Sequence, residues 1–489
     1  MLNLLLSLGS AGVAVAAWRL DPYHGIATAF GALALWQLHC ALAPRPPPRA
    51  PVILRLGGLS WDVFSFCRGW LITGQVGTGK TAAAINTMLW QITTHCPGWG
   101  GVCVDDKGVY WETLSTLLAH RGRAADLVLL QVRPENAPHG WRPAHRFNFL
   151  DDPHLPYSAK AKMVCDVAAA TGQRSEQSFF KLQAQVQMEF AFKALHAAGL
   201  PVTLESAYEF LTSDPLMAEV MARVAKLGTP VADDLVDHHR NNFLAQPAEQ
   251  LGGVKTTIAN YLKYFTDPAI AEVFCAPSTF RLDDIDRGKI ICVSLPQRFS
   301  VERRYVNTLL KLAYYSHALR RFDQPAEQRA KNNLLVLWAD EAQKIVTASE
   351  DGMSDYNVVD VLREARATVV AATQSYASLI PPMGDERKAK VFIANLANRV
   401  TFCAADEDSA KIAADTVGKR KAQRRTTGWS GGKRTTSLTD EDRYYIEPHE
   451  FRRLRRFEAV VQHCDRGFRR VSIPPLGPDG RAPAWHRGA

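Results

Sequence analysis

A glycine-rich octapeptide stands between an apolar segment and an amphipathic one. Residues 74–81 read GQVGTGKT and fit the pattern G-x-x-x-x-G-K-[ST] in full. The preceding residues GWLIT predict a strand, and the following residues TAAAINTMLWQITTHC predict a helix. A strand, a glycine-rich loop and a helix in this order predict a phosphate-binding loop in an α/β sheet.

The residue types in this loop have separate roles toward a nucleoside triphosphate. The glycines let backbone N–H groups approach the phosphates, because glycine has no Cβ. We expect Lys80 to reach the β- and γ-phosphates and the Thr81 hydroxyl to ligate Mg²⁺. The predicted residues for binding ATP with Mg²⁺ are therefore Gly74, Gln75, Val76, Gly77, Thr78, Gly79, Lys80 and Thr81.

A second apolar segment ends in two carboxylates. Residues 334–341, LLVLWADE, predict a parallel strand that is buried on both faces. Functional groups of α/β sheets gather at the carboxyl ends of such strands. We expect Asp340 to hold Mg²⁺ through water and Glu341 to act as general base toward the attacking water. A strand that simply ends in surface acids is the alternative, which the phosphate-binding loop in the same chain disfavours.

A third predicted strand, ATVVAATQS, ends near Gln374, whose amide is suited to sensing the γ-phosphate or positioning water.

Arg363 and Arg366 lie just before that strand. An arginine there can act as a finger on a neighbouring subunit's nucleotide, and a solvated arginine at a helix end is the alternative. We favour Arg363 as the finger. The predicted catalytic residues are Lys80, Glu341, Gln374 and Arg363, and the predicted metal ligands are Thr81 and Asp340.

The first 43 residues differ from the rest of the chain. Residues 2–17 and 25–43 contain no Asp, Glu, Lys or Arg, and Pro22 lies between the two runs. Because a membrane-spanning helix needs about 20 apolar residues, we predict a transmembrane helical hairpin over residues 1–43. A linker follows at residues 44–64, and its arginines favour a cytoplasmic location. A signal peptide and a hairpin buried in a soluble protein remain alternatives.

The middle of the chain shows apolar residues at helical spacing between residues 157 and 270. We therefore predict an all-α domain at residues 157–275, inserted between two parts of the ATPase domain at residues 65–156 and 276–475. Residues 476–489 are predicted to be a flexible tail.

Residues 418–436 carry seven Lys or Arg and no acid, which predicts a mobile loop. The loop either contacts DNA, with Trp429 stacking on a base, or is merely solvated.

Composition narrows the class of protein. Hydrophobic residues make up 47% and charged residues 22% of the chain, as in globular proteins. The net charge of +9 suits a polyanionic partner such as nucleic acid or anionic lipid. Nine cysteines include no CxxC pair, which predicts a reducing compartment and disfavours a zinc site.

Taken together, these motifs resemble the type IV secretion coupling proteins, the ring ATPases of conjugation. VCVDDKG at residues 102–108 resembles that family's strand ending in D-P-K-G-E, with Asp106 in place of proline and Val109 in place of glutamate. FNFL at residues 147–150 resembles a further strand. Arg363 lies eleven positions before Gln374, as the family's arginine finger does. Other similar blocks are KTTIANYLKYFTDPAIAEVF, LDDIDRGKIICVSLP and FIANLANRVTFCAADEDSAKIAADTVGKR, so the resemblance covers most of residues 65–475.

The resemblance implies an α/β fold: a RecA-like P-loop ATPase domain with an inserted all-α domain and an N-terminal transmembrane hairpin. It implies a multi-pass protein of the bacterial inner membrane with its ATPase domain in the cytoplasm, active as a homo-hexamer. The implied function is an ATP-driven DNA translocase. Its partners would be single-stranded DNA with bound relaxase and the inner-membrane components of the secretion channel. A septal or repair-type double-stranded DNA translocase and a mainly non-catalytic receptor for protein substrates remain alternatives.

Overall fold

The computed structural model describes residues 32–33, 35–36, 50–171, 178–430 and 433–487. The chain divides into two units, Met1–Pro51 and Val52–Ala489. The four described residues between 32 and 36 are helical. The rest of the predicted transmembrane hairpin lies outside the described residues. Within the described ranges, no helix is long and apolar enough to cross a membrane.

The second unit is built on strands that follow the predicted apolar segments. The segments GWLIT, LLVLWADE and ATVVAATQS form strands as predicted. The strands are β1 (Leu54–Leu56), β2 (Leu59–Trp61), β3 (Trp70–Thr73), β4 (Gly100–Val104), β5 (Leu127–Gln131), β6 (Ile290–Ser294), β7 (Leu335–Ala339), β8 (Ala367–Thr373), β9 (Asn398–Thr401), β10 (Lys419–Ser430), β11 (Lys433–Tyr444), β12 (Glu458–His463) and β13 (Gly467–Ser472).

Helices connect these strands and cover the sheet. They are α1 (Val63–Phe66), α2 (Asn86–His95), α3 (Tyr110–His120), α4 (Tyr157–Thr171), α5 (Ser178–Ala197), α6 (Leu204–Thr212), α7 (Asp214–Ala225), α8 (Pro230–His238), α9 (Ala248–Leu262), α10 (Pro268–Phe274), α11 (Ser300–Arg320), α12 (Ala326–Lys331), α13 (Asp355–Val358), α14 (Ile380–Met383), α15 (Glu386–Asn395), α16 (Glu407–Val417), α17 (Pro448–Phe451) and α18 (Ala484–Arg487). A π-helical turn, Lys80–Ile85, precedes α2.

Nine strands form one mixed sheet in the order β13-β12-β9-β3-β8-β7-β4-β6-β5. β12 runs antiparallel to β9 and β13, and the other paired neighbours are parallel. Val102 and Leu337 pack on the face covered by α11, whereas Cys103 and Trp338 pack on the face covered by α2 and α3. The central strands are therefore buried on both faces, which explains their uninterrupted apolar sequences.

The strand order decides which side chains meet. β8 lies between β3 and β7, with Thr73 in register with Thr373 and Ala339 in register with Ala371. All three strands are parallel, so their carboxyl ends lie at the same edge of the sheet. The phosphate-binding loop, the acidic pair and Gln374 follow these three ends.

Helices α4 to α10 lie between β5 and β6, and the described part of residues 157–275 contains no strand. The starts of α6, α7, α8 and α10 are set by side chains that accept hydrogen bonds from the first helical turn. Thr203 and Ser206 form a capping box at α6, and Thr229 and Asp267 cap helices that begin with proline. The helices pack their apolar faces on one another and on the sheet. The domain boundaries at 157 and 275 stay a prediction.

The segments predicted as a linker and as a flexible tail both contain residues that pack against the core. Within the predicted linker at residues 44–64, β1 and β2 form a hairpin whose Leu54 and Trp61 are fully buried. Trp61 donates its indole N–H to Asn398, at 2.8 Å. In the predicted tail, the backbone N–H of Leu476 donates to the carbonyl of Ala82, at 2.8 Å. Buried aromatic and backbone groups explain why these segments are held despite their proline and glycine content.

Two other predictions were wrong in secondary structure. The FNFL segment is a turn and not a strand, and the N–H of Asn148 donates to the Ser278 hydroxyl, at 2.9 Å. The predicted basic loop is a long antiparallel hairpin, β10–β11, in which Lys419 is in register with Tyr444 and Ser430 with Lys433. Its dense charge hides the two-residue alternation by which strands are recognised in a sequence.

Candidate active site

The glycines of the phosphate-binding loop adopt backbone conformations that other residues avoid. Gly74 has φ of +153°, and a Cβ there would lie 2.7 Å from the Cβ of Phe402. Gly79 has φ of +120°, and a Cβ there would lie 2.7 Å from Cδ1 of Phe457. The loop can therefore close on β9 and on residue 457 only with glycine at these two positions.

Lys80 begins the π-helical turn and points back into the loop. Its ammonium donates to the carbonyl of Gly74, at 2.7 Å, and to that of Gln75, at 3.3 Å. Only 7% of the residue is exposed. Burial lowers the pKa of Lys80, and the negative charges of Glu341 and Asp340 oppose this. The ammonium thus lies where phosphate oxygens would replace backbone carbonyls as its partners.

The structure joins the loop to the acidic strand end. The Thr81 hydroxyl donates to Oδ2 of Asp340, at 2.7 Å, although the two residues are 259 positions apart. Oδ1 of Asp340 accepts the N–H of Glu341, at 3.1 Å. Burial raises the pKa of Asp340, while the hydrogen bond from Thr81 lowers it. A hydroxyl and a carboxylate oxygen are the hard donors that Mg²⁺ prefers, so the predicted metal ligands fit that ion.

Glu341 is held by two glutamines. Gln374 donates to its carboxylate at 3.3 and 3.4 Å, and Gln343 donates to Oε2 at 2.6 Å. Glu341 has φ of +56°, a strained conformation for a residue other than glycine. A carboxylate fixed in this way can accept a proton from water at the edge of the sheet. Sequence reasoning missed Gln343, whose only signal is its place two residues after Glu341.

The two candidate arginines lie at the other edge of the sheet. Both precede β8, whose seven residues span about 20 Å before Gln374 is reached. The guanidinium of Arg363 lies over the exposed ring of Phe64, 4.8 Å from its centre. Arg366 instead donates to the carbonyl of Ala330, at 2.7 Å. Arg363 therefore cannot contact the phosphate-binding loop of its own chain, whereas Arg366 ties two segments of the fold together.

The end of β4 lies beside the acidic pair. The N–H of Asp340 donates to the carbonyl of Val104, at 3.1 Å, which places Asp105 level with Asp340 on the adjacent strand. Oδ2 of Asp105 accepts the N–H groups of Val109 and Tyr110, at 3.2 and 3.4 Å. This carboxylate therefore caps the start of α3, and Val109 contributes a backbone group where the resembling family has glutamate.

The structure thus brings together most of the predicted site. Lys80, Thr81, Asp340, Glu341 and Gln374 meet at one edge of the sheet through the contacts described above. Within the loop, Gln75 donates its N–H to Cys403, at 2.9 Å, and Val76 is 76% exposed. Of the predicted catalytic residues, Arg363 is the one that lies elsewhere.

The chain is similar to known proteins over most of its length. The family described as Type IV secretory system Conjugative DNA transfer matches residues 66–463. Among solved structures, the unbound bacterial conjugative coupling protein TrwB is similar with a TM-score of 0.62 and 16% identity, over 89% of this chain and 91% of that one. TrwB in complex with ADP and Mg²⁺ has a TM-score of 0.59 and 14% identity, over 91% and 93%.

VirB4 of Thermoanaerobacter pseudethanolicus is similar with a TM-score of 0.50 and 11% identity, over 91% of this chain and 99% of that one. No curated protein sequence matches significantly. The similarity to solved structures shows the RecA-like α/β fold with a mixed sheet. The family match covers more than half of the sequence. This chain belongs to the type IV secretory family of conjugative DNA-transfer proteins.

Proposed function

We propose that this protein is a membrane-anchored ATPase that moves DNA toward a type IV secretion channel. The observation that carries the proposal is the contact between Thr81 and Asp340, which joins two distant motifs into one nucleotide site. The TrwB structures with ADP and Mg²⁺ and with an ATP analogue support ATP and Mg²⁺ as its ligands. The family match supports DNA as the cargo.

Each residue of the site has a task in ATP hydrolysis. Loop N–H groups and Lys80 bind the phosphates, and Thr81 and Asp340 would hold Mg²⁺, directly and through water. The ion, when bound, neutralises charge that develops on the phosphate oxygens. Glu341 accepts the proton of the attacking water, and Gln374 orients that water beside the carboxylate.

The position of Arg363 supports a ring. A finger about 20 Å from its own phosphate-binding loop can complete only the site of a neighbouring subunit. A head-to-tail contact repeated around a closed circle gives cyclic symmetry. We propose a homo-hexamer on the resemblance to the coupling proteins, with one nucleotide at each subunit boundary.

The β10–β11 hairpin is the proposed DNA contact. Each strand has 12 residues, about 40 Å in length, and Lys419, Arg420, Lys421, Arg424 and Arg425 are all exposed on β10. Exposed cations bind the phosphate backbone without reading the sequence. The proposed cargo is single-stranded DNA with its relaxase, because the resembling family transfers DNA in that form.

Residues 1–43 are proposed to anchor the protein. Their two long uncharged runs are suited to a hairpin in the bacterial inner membrane, with the ATPase domain in the cytoplasm. This location would place the ring beside the inner-membrane components of the secretion channel, which are the proposed protein partners.

The function is tested by a mating assay in a donor strain that lacks the gene and carries wild type or Lys80→Ala. We expect the variant to abolish transfer and ATP turnover, because Lys80 stabilises charge on the transferred phosphoryl group. Lys226→Ala, which changes an exposed lysine, is the matched control. Near-normal transfer by Lys80→Ala would refute the motor. ATPase stimulation by double-stranded DNA alone would favour a septal-type translocase instead.

A further inference from the structure

The last described residues of the chain run along the helix that follows the phosphate-binding loop. We call residues 473–487 the C-terminal strap. The N–H of Leu476 donates to the carbonyl of Ala82, at 2.8 Å, and its carbonyl accepts the side-chain amide of Asn86, at 2.9 Å. Further along, Gly480 lies against the Trp90 ring. A Cβ at position 480 would be 2.3 Å from Cζ2 of that ring. The strap is therefore fixed to the nucleotide-binding helix over several turns.

Phe457 connects the strap to the loop itself. Its N–H donates to the carbonyl of Thr78, at 3.0 Å, and its carbonyl accepts the N–H of Ile473, at 2.8 Å. Phe457 has φ of +66°, which is rare for a residue with a bulky side chain. Its ring lies against Gly79, and only 8% of the residue is exposed. The fold thus holds this ring against the phosphate-binding loop.

Trp485 returns the end of the strap to the same place. Its ring stacks on that of Phe457, with centres 5.9 Å apart and planes 30° apart. The guanidinium of Arg456 lies 5.0 Å from the Trp485 ring and 4.7 Å from the Phe457 ring. Unlike Phe457, Trp485 is 52% exposed. The His486 ring lies edge-on to the rings of Phe457 and Trp485, with centres 5.4 and 5.9 Å away. A half-exposed indole is therefore packed on the ring that contacts the loop, and it has no role in the contacts among Lys80, Thr81, Asp340, Glu341 and Gln374.

The strand order tells which end of a nucleotide would reach this indole. Asp340 follows β7, which lies beyond β8 on one side of β3. Phe457 immediately precedes β12, which lies beyond β9 on the other side of β3. The contact between Thr81 and Asp340 fixes the metal and the terminal phosphate on the β7 side. The nucleoside end of the same ligand must then extend toward β12.

We propose that Trp485, supported by Phe457 and Arg456, is the platform on which the base of the bound nucleotide stacks. The proposal deepens the proposed function, because it rests on this site binding a nucleoside triphosphate. Stacking on an indole accepts any base, since every base has a π face. The platform therefore favours purine nucleotides by ring area and not by hydrogen bonds to their edges, and ATP and GTP should bind alike.

The test compares two ligands of full-length wild type, Trp485→Ala and Trp485→Phe by calorimetry with Mg²⁺ present. ATP has a base, whereas inorganic tripolyphosphate offers the same phosphates without one. Base stacking on an aromatic side chain predicts a loss of roughly 5- to 100-fold in ATP affinity for Trp485→Ala. Tripolyphosphate affinity should be unchanged, and Trp485→Phe should recover most of the ATP affinity. Trp141→Ala, in the loop after β5, controls for loss of an indole elsewhere.

Each other result overturns the platform. Unchanged ATP affinity in Trp485→Ala would show that the base lies elsewhere. Equal weakening toward both ligands would show that the indole supports only the fold of the loop. Tighter binding of both ligands would show that the strap is a lid over the phosphates. If wild type binds neither ligand, the nucleotide site itself is refuted, which is separate from failure of the platform.

Discussion

Two regions of the molecule are rich in charged residues: the carboxyl ends of β3, β8 and β7, and the β10–β11 hairpin. The charges of the first region are shielded from solvent, whereas those of the second are exposed. Lys80 is buried and Asp340 is half-buried, and Thr81 and Glu341 complete a connected set of contacts with Asp340. On the hairpin, the side chains of Lys421 and Asp442 pair at 2.9 Å while 79% and 59% exposed. The interaction energy of shielded charges depends on their geometry, whereas the interaction energy of exposed pairs is weakened by solvent and salt.

This contrast predicts how each region responds to substitution. At the strand ends, one side chain has one task, so a single change should remove most of the activity. On the hairpin, many cations contribute to one electrostatic field, so effects should be small and should add.

Outside the phosphate-binding loop, the largest effect is expected for Arg363→Ala, a substitution just before the amino end of β8. Arginine fingers contribute about 10³- to 10⁵-fold to phosphoryl transfer, so ATP turnover should fall by about 10³-fold or more. Arg366→Ala is the matched control, since it should lower the melting temperature by loss of its bond to Ala330 with a much smaller change in turnover. Steady-state ATPase assays and thermal unfolding measure the two effects.

Mixed rings show whether Arg363 acts on a neighbour. Subunits carrying Arg363→Ala and subunits carrying Lys80→Ala should each be inactive alone. A mixture should regain turnover, because some boundaries join an intact loop from one subunit to an intact finger from the other. Absence of any recovery in rings shown to be mixed would contradict a finger acting between subunits.

The next largest effect is expected for Glu341→Gln. The amide keeps the shape of the side chain but cannot accept a proton, so turnover should fall by about 10²- to 10⁴-fold. Nucleotide binding should remain, and calorimetry with ATP would detect it. Loss of binding together with turnover would assign Glu341 a structural role in place of proton transfer.

Gln343→Ala tests the contact that was not foreseen. A hydrogen bond to a charged group contributes about 1.5–3 kcal/mol, which corresponds to roughly 10- to 100-fold. Because Gln343 only positions Glu341, its loss should lower kcat without changing KM for ATP. In the Glu341→Gln background the same substitution should have little further effect. Full additivity of the two changes would show that Gln343 acts independently of Glu341.

The sequence predicts the strand ends well for a physical reason. Parallel strands buried on both faces have uninterrupted apolar sequences, and their carboxyl ends must meet at one edge. The positions of Lys80, Asp340 and Gln374 follow from that rule. Gln343 and the location of Arg363 do not follow, since they depend on the local path of the chain after β7 and before β8.

The sequence predicts the exposed and terminal segments poorly. Residues 418–436 were predicted as a loop because charge masks strand periodicity, and residues 476–489 were predicted as a tail because proline and glycine are frequent there. In the structure, backbone bonds between distant residues hold both segments, as between Leu476 and Ala82. Such long-range backbone contacts leave no residue pattern in either partner.

The smallest and most graded effects are expected for substitutions in the hairpin. The register between β10 and β11 divides the basic strand into two parts. At the base, Lys421 is in register with Asp442, and Lys419 lies over the Tyr444 ring, 4.5 Å from its centre. Further out, Arg424 and Arg425 face Thr439 and Leu438, which carry no charge. The acids of β11 therefore neutralise the base of the hairpin and leave its outer part cationic.

DNA binding should distinguish these two parts. Arg424→Gln with Arg425→Gln should make the log–log salt slope for single-stranded DNA shallower by about 1.4, at roughly 0.7 per lost phosphate contact. Lys421→Gln, the matched control, removes a lysine whose charge Asp442 already offsets, so the slope should change little. Affinity should fall alike for all sequences, because phosphate contacts do not read bases. A slope unchanged by the double substitution would mean that the hairpin is merely solvated. The DNA contacts would then have to come from the pore of the proposed ring or from the inserted helical domain.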